Sequence, residues 1–300
     1  MGKTRLAVAL ARRLGGEIIN ADSRQVYRYM DIGTAKPAPE EQSQVPHHLL
    51  DILDPNQDFG LGSFLSLARS IIREIHDSGG LPIVAGGTGQ YIWALLEGWQ
   101  VPKVPPDPEF RKAKEIEAEQ YGPVALHRTL QQVDPQRAAQ LDPRNVRRVI
   151  RALEVYQSEQ RGLSGSPRQT GPMADVLMIG LNLDRRELYR RIDDRIDRML
   201  DAGLLEEVRR IAAMGYPTGI GALASPGYRE LGQFLSGEIA LDEAVQRTKF
   251  QTHRLARRQN TWFKLNDPRI QWLDADSPDL EERAAGLVES FLSGAPAVIK

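Results

Sequence analysis

Met1-Gly2-Lys3-Thr4-Arg5-Leu6-Ala7-Val8-Ala9-Leu10-Ala11 is the stretch that decides how the chain is read. Gly-Lys-Thr running straight into an apolar helical pattern is the second half of a phosphate-binding loop, G-x-x-x-x-G-K-[ST]. In the whole motif, loop amides cradle a di- or triphosphate, the lysine neutralises it and the hydroxyl binds magnesium. Here Gly2, Lys3, Thr4 and the positive end of the helix are in the sequence. The leading glycine, the four residues after it and the strand that feeds the loop are not. Three letters match weakly on their own, so the residues further along have to carry the argument.

Working outward, Thr4 to Leu14 reads as a helix ended by Gly15-Gly16. Glu17 to Asn20 reads as a short strand, and Phe64 to His76 as an amphipathic helix closed by Ser78-Gly79-Gly80. Leu81 to Ala85 reads as a compact apolar strand, followed by the tight turn Gly86-Gly87-Thr88-Gly89 and a helix from Gln90 to Glu97. Strand, glycine turn and helix in alternation predict an α/β fold with a parallel sheet and ligands at the carboxyl ends of its strands. Val101 to Pro108 is too rich in proline to be helical and reads as a linker. From Glu109 to about Gln160 the pattern is helical and charged, broken at Gly122-Pro123, Asp134-Pro135 and Asp142-Pro143; Gly162 to Pro172 reads as a loop. Asp175 to Leu183 returns to a strand-like pattern. Arg186 to Leu200, Leu204 to Met214 and Leu241 to Phe263 read as helices, and Gln271-Trp272-Leu273 as a last strand. The expected layout is therefore an α/β core of residues 1–100 and 175–300 with C-terminal helices, carrying an all-helical insertion at 101–174.

Hydrophobic content of 41% and charged content of 26% are ordinary for a soluble globular chain of 300 residues. The net charge of −1 hides local clusters, so it does not exclude nucleic acid. Without cysteine there is no disulfide framework and no thiolate metal site. No apolar run reaches the roughly 18 residues that span a bilayer. A cytoplasmic monomer with no membrane partner is expected.

Several residues can carry chemistry. Asp22 follows the second strand, where a carboxylate facing a phosphate loop can accept a proton or hold magnesium through water; a helix cap or turn residue explains it equally well. Thr88 can cap a helix or touch a ligand, capping being the simpler role. His47, His48 and Asp51 invite a metal reading, but neighbouring histidines on a strand face opposite sides, so a structural or substrate-shaping role is preferred. Arg144, Arg147, Arg148 and Arg151 lie within eight residues, with Glu154 the nearest carboxylate downstream. Arg247, Lys249, Arg254, Arg257, Arg258 and Lys264 form a second basic stretch ending near Trp262 and Phe263. Solvated, salt-bridged surfaces are the common fate of such runs, yet two basic helices with an aromatic end also suit a phosphate backbone with extruded bases. Between Arg191 and Leu200, periodicity marks Ile192, Ile196, Met199 and Leu200 as the buried stripe and cannot choose which arginine would enter a phosphate pocket.

The chain as a whole resembles the tRNA dimethylallyltransferase family. The matching segments are Gly2-Lys3-Thr4; Asp22-Ser23-Arg24-Gln25-Val26-Tyr27; Met30 to Pro37, reading Met-Asp-Ile-Gly-Thr-Ala-Lys-Pro; and Pro46 to Asp51. Further on come Gly86-Gly87-Thr88, Arg148 with Arg151 to Val155, Gly227-Tyr228, and Arg257-Arg258-Gln259 with Thr261-Trp262. They follow the family's order over nearly the whole length.

The resemblance implies a P-loop NTPase-like fold used without nucleotide hydrolysis. A dimethylallyl group would pass from its diphosphate to the exocyclic amine of the adenine just 3′ of the anticodon in tRNA. It implies Asp22 as general base, Thr88 near the reacting centre, and Gly2, Lys3, Thr4 and Arg195 on the diphosphate, with Mg2+ as cofactor at Thr4. It implies tRNA contacts at Asp22, Ser23, Arg24 and Gln25, at Arg147, Arg148, Val149, Ile150 and Arg151, and at Gly227, Tyr228 and Arg229. Pro226 departs from the β-branched residue many members carry there.

The short amino terminus is the main departure. In such folds the first strand lies between two others, and each buried unpaired backbone group costs ~1–3 kcal/mol. The gene is therefore expected to encode about fifteen further residues, one strand plus the loop; an in-frame stop codon just before Met1 would defeat this. If the chain is as written, low stability and weak diphosphate binding are expected. Three other readings remain: a P-loop small-molecule kinase, a prenyltransferase acting on free adenine nucleotides, and a non-catalytic RNA-binding remnant. The long insertion argues against the second, and the basic helices against the first.

Overall fold

The computed structural model describes residues 2–102, 104, 106–160 and 175–294. The loop expected at Gly162–Pro172 lies outside them. The chain divides into two compact units, one of Met1–Leu96 with Pro172–Lys300 and one of Glu97–Gly171.

In the larger unit, helix α1 (Lys3–Leu14) buries Leu6, Ala7, Val8, Leu10 and Ala11. It ends at Gly15, whose φ of 64° lets its amide bond the Ala11 carbonyl. Strand β1 (Gly16–Ala21) is nearly all buried, with Ile19 and Ala21 fully enclosed. After the short helix α2 (Pro39–Gln42) comes β2 (His47–His48), which pairs with β1 in parallel, Ile18 opposite His47. Two residues are too short to show a strand period. Helix α3 (Leu61–Asp77) leads into β3 (Leu81–Gly86), parallel to β1 along its whole length from Gly16↔Leu81 to Ala21↔Gly86. Helix α4 (Gly89–Leu96) follows.

The order β2-β1-β3 is one parallel sheet; β4 (Met178–Asn182) and β5 (Ile270–Asp274) form a second, also parallel. Among the described residues no strand pairs with the free edge of β3 or of β4. Helix α1 joins the two sheets: Leu6 and Leu10 pack in one apolar cluster with Ile83 of β3 and with Ile179 and Leu181 of β4. Parallel sheets flanked by helices are the α/β class read from the sequence.

The smaller unit is a helical cluster of α5 (Pro108–Tyr121), α6 (Pro123–Val133), α7 (Pro135–Ala138) and α8 (Val146–Gln160). Two of the three proline breaks, at Pro123 and Pro135, are helix starts, as is Pro108, since proline at the first helical position loses no bond; the third, Asp142-Pro143, lies in the turn before α8. Asp107 and Asp134 cap α5 and α7 through the Phe110 and Arg137 amides. Leu126, Leu130, Val149, Ile150 and Leu153 fill the core.

The C-terminal part returns to the larger unit with α9 (Arg185–Asp201), α10 (Leu204–Ala213), α11 (Tyr228–Leu235), α12 (Leu241–Trp262) and α13 (Leu280–Leu292). Val208, Ile211, Leu223, Tyr228 and Leu231 pack there against Val26, Tyr27 and Met30. Among the described residues no helix is long and apolar enough to cross a membrane.

Gly86 closes the β1–β3 pair where the backbones approach too closely for a side chain. A Cβ there would sit 2.3 Å from the Ala21 carbonyl carbon and oxygen. Gly86→Ala should therefore destabilise the chain by about 1–3 kcal/mol. A thermal melt equal to that of the unaltered chain would refute this.

Candidate active site

Three side chains from separate elements converge at the carboxyl end of β1. Lys3 opens α1, where unpaired amides and the helix dipole favour an anion. Asp22 directly follows β1. Arg195 lies mid-way along α9. Burial chiefly pulls the Lys3 ammonium below the ordinary lysine value; Asp22 opposes this and Arg195 adds to it. Arg195 is likewise lowered, first by burial, with Asp22 opposing and Arg198 adding. Two cations coupled to one carboxylate leave a net positive charge, which suits a further anion. Arg195 retains an open surface, which faces a cleft of about 640 Å³ also lined by Lys36, Asp51, Arg198 and Met199.

Asn20 holds Asp22 in place. Its buried carboxamide donates to the Asp22 and Leu49 carbonyls at 3.1 and 3.0 Å and accepts the Asp22 amide at 3.0 Å. One Asp22 oxygen accepts the Arg24 amide at 2.9 Å, closing a turn and leaving the second oxygen outside that bond. The Thr88 hydroxyl accepts the Ser23 amide at 3.1 Å, and the Thr88 amide reaches the Ala21 carbonyl at 3.2 Å. Thr88 thus stitches the two strand ends together beside Asp22, while its carbonyl starts α4 by accepting the Tyr91 amide at 2.9 Å. Tyr91 stacks on Phe64 at 4.3 Å, and burial, then Tyr27, pushes its hydroxyl to about 12, against Arg24 and with a further push from Asp22. It forms a neutral aromatic wall.

The end of α12 completes the site. A Cβ on Gly87 would lie 2.4 Å from Gln259 Nε2 and 3.6 Å from Lys3 Nζ, so the carboxamide and the ammonium share the space over this turn. Trp262 covers Gly89 in the same way, and its carbonyl accepts the Trp93 indole at 2.8 Å. Arg257 and Arg258 point outward from the same turns. Sequence reasoning missed Asn20, Tyr91 and Gln259 as parts of the site; only the family match at Arg257-Arg258-Gln259 hinted at the last.

The other sequence-derived residues fall in several places. Arg24 donates to the Gly221 and Ala222 carbonyls at 3.4 Å, and the Gln25 carboxamide to those of Thr34 and Ala35 at 3.1 and 3.0 Å. Gly227 has a φ of 91°, Tyr228 is fully buried, and Arg229 is paired with Glu230. The Tyr228 side chain therefore has no surface to offer an RNA. In the helical unit, Val149 and Ile150 point into the core. Arg151 bonds Glu154 and, at 3.0 Å, the Val104 carbonyl; Arg144 pairs with Asp142. The run is thus better balanced by acids than its sequence indicates. Burial would raise the Glu154 carboxyl, but bonds from Arg111, the Asp107 amide and Arg151 outweigh it and hold it below its ordinary value. Arg147 and Arg148 remain exposed.

Among the described residues no group of three or more His, Asp or Glu is placed to hold a metal ion. His47 Nδ1 lies 2.9 Å from the Val45 carbonyl and His48 Nε2 2.6 Å from Glu17. Both are structural contacts.

The family model described as IPP transferase matches residues 25–266. A tRNA dimethylallyltransferase of Thermomicrobium roseum is 49% identical over 97% of this chain and 88% of its own length. That of Chloroflexus aurantiacus is 48% identical over 95% and 96%. Among solved structures, the tRNA isopentenylpyrophosphate transferase of Bacillus halodurans superposes with a TM-score of 0.69 at 39% identity, covering 98% of this chain and 92% of that one. A eukaryotic dimethylallyltransferase solved acting on tRNA gives 0.81 at 28% identity over 100% and 78%. With the family model matched over residues 25–266 and these relatives along nearly its full length, the chain belongs to the IPP transferase family.

Proposed function

We propose that this prenyltransferase moves a dimethylallyl group from dimethylallyl diphosphate to the N6 amine of the adenine 3′ to the anticodon of a tRNA. The observation that carries the reading is the gathering of Asp22, which directly follows β1, with Lys3 at the start of α1 and Arg195 of α9, each cation electrostatically coupled to that carboxylate.

The adenine amine is a weak nucleophile because its lone pair is delocalised into the ring. As the N–C bond forms, positive charge builds on nitrogen and a proton must leave; Asp22 receives it. As the C–O bond breaks, its electron pair stays with the diphosphate, whose growing charge is met by Lys3, Arg195 and the α1 amides. Thr88 keeps Asp22 in register with β3, and Tyr91 walls off water. Thr4 and Asp22 offer only oxygen donors, which fits magnesium, a cation that keeps waters and substrate phosphates and needs no all-protein cage. When bound it would add Lewis-acid neutralisation of the leaving diphosphate.

The adenine has to leave the anticodon stack, at a cost of a few kcal/mol. Arg147 and Arg148 on α8, with Arg257 and Arg258 on α12, are exposed cations suited to the RNA backbone. Arg147→Ala or Arg148→Ala should weaken RNA binding for every loop sequence alike. Each lost phosphate contact should reduce the slope of log K against log salt by about 1. A salt titration by fluorescence anisotropy reads this, and unchanged slopes in both variants would remove α8 from the interface.

The test of the function is to incubate the purified chain with an anticodon stem-loop RNA, dimethylallyl diphosphate and magnesium. The RNA should gain the mass of one dimethylallyl group at the adenine. ATP hydrolysis without prenyl transfer would overturn the assignment.

A further inference from the structure

Glu207 of α10 is 3 % exposed, and its carboxylate accepts four hydrogen bonds, three of them from the loop after β1. One oxygen accepts the amides of Asp31 and Ile32 at 3.1 and 2.8 Å; the other accepts the Gly33 amide at 3.1 Å and the Tyr228 hydroxyl at 2.6 Å. Three successive amides and a phenol around one carboxylate form a closed anion nest within the protein. Tyr228 is buried and its hydroxyl is raised, by burial first and then by Glu207. It stays a donor.

The next residues of the same loop act in the opposite direction. The Thr34 and Ala35 carbonyls accept both hydrogens of the Gln25 carboxamide. With Nε2 committed to the loop, Gln25 Oε1, a pure acceptor, is left outside those two bonds. Gln25 stands three residues after Asp22. Glu207, Tyr228, the 31–35 backbone and Gln25 therefore make one continuous hydrogen-bonded relay from the helical layer to the turn that carries the proposed base.

We propose that Glu207 is a positioning residue for RNA recognition: through the loop it fixes Gln25 so that Oε1 accepts an N–H from a nucleotide base entering beside Asp22. This rests on the function proposed above. None of the relay's hydrogen bonds involves Lys3 or Arg195, although Asp31, Ile32 and Ala35 line the cleft that Arg195 faces. In Glu207→Gln the new NH2 group faces amide donors, so the loop and Gln25 lose their fixed orientation.

The experiment is a double-mutant cycle with Glu207→Gln, Gln25→Ala and the pair together. It measures anticodon stem-loop binding by anisotropy and the two KM values in prenyl transfer. Glu207→Gln and Gln25→Ala should each weaken RNA binding about fivefold to tenfold, the scale of one hydrogen bond, with the KM for dimethylallyl diphosphate unchanged. The double variant should be no worse than Gln25→Ala alone. Multiplying effects, or an equal rise in the diphosphate KM, would reduce Glu207 to a general structural role and overturn the inference. Should Glu207→Gln fail to fold, Tyr228→Phe removes one donor from the nest, and its cycle with Gln25→Ala is read in the same way. An unaltered chain that binds the RNA but transfers nothing defeats the proposed function, while the binding cycle still judges Glu207.

Discussion

Asp22→Asn is expected to transfer the prenyl group about 10²–10⁴-fold more slowly than the unaltered chain, the range for losing a positioned general base. The amide keeps the shape and can still accept the Arg24 amide that closes the turn, so the fold and the Asn20 contacts should survive. What it cannot do is take the proton from the adenine amine. The loss should appear in kcat, measured in single-turnover reactions with the enzyme saturated by both substrates. Asp22→Asn at near-full rate would sink the assignment of the base. A second signature reports the electrostatic part of its role. Asp22 raises the Lys3 pKa. Without it, the pH at which diphosphate binding is lost should move down.

Removing the leaving-group cations should cost nearly as much. Lys3→Ala or Arg195→Ala each deletes a charge that meets the oxygen left by C–O cleavage, worth roughly 10²–10³ in kcat for a preorganised group. Unlike the Asp22 change, these should also weaken equilibrium binding of dimethylallyl diphosphate, as calorimetry would read. The sign of the pH effect follows from the shift. Lys3 lies below the ordinary lysine value, so its charge, and with it diphosphate affinity, is present at low pH and lost as pH rises through that lowered value. Arg195 is one of the influences pushing it down. Arg195→Ala should therefore move the loss to higher pH while lowering affinity at neutral pH. Lys3→Arg should abolish it, because guanidinium stays charged. A pH profile identical in all three proteins would mean that Lys3 does not face the diphosphate.

The fold was legible where local pattern and tertiary structure agree. Lys3 to Leu14 has the helical period and a glycine stop, and β1 and β3 are apolar runs bounded by glycine. Asp22 and Thr88 were legible as candidates because strand ends are where parallel sheets bind ligands. Arg195 was not separable from its neighbours by period. The structure separates it: Arg190 and Arg191 are held by Glu187, Asp194 and Asp276, whereas Arg195 faces Asp22 and Lys3. Asn20, Gln259 and Glu207 were illegible for a general reason. The role of a buried polar group is set by its partners, and the amides that Glu207 binds are more than a hundred positions away. Helix α11, between α10 and α12, and helix α13, after β5, carry ordinary amphipathic patterns with no motif to mark them.

The docking of α1 has a consequence for how the polypeptide is made. Leu6 and Leu10 share their cluster with Leu273, Ala284 and Ala285, and Arg13 pairs with Glu282 and Glu289. Ile83 of the same cluster follows within about eighty residues, but some 270 residues separate α1 from its partners in β5 and α13, so at about 5–20 residues per second that part of its face stays uncovered for roughly fifteen seconds to a minute on the ribosome. A chain ended before α13 should therefore pellet more readily on centrifugation than the full chain, and equal recovery of both in the supernatant would refute this.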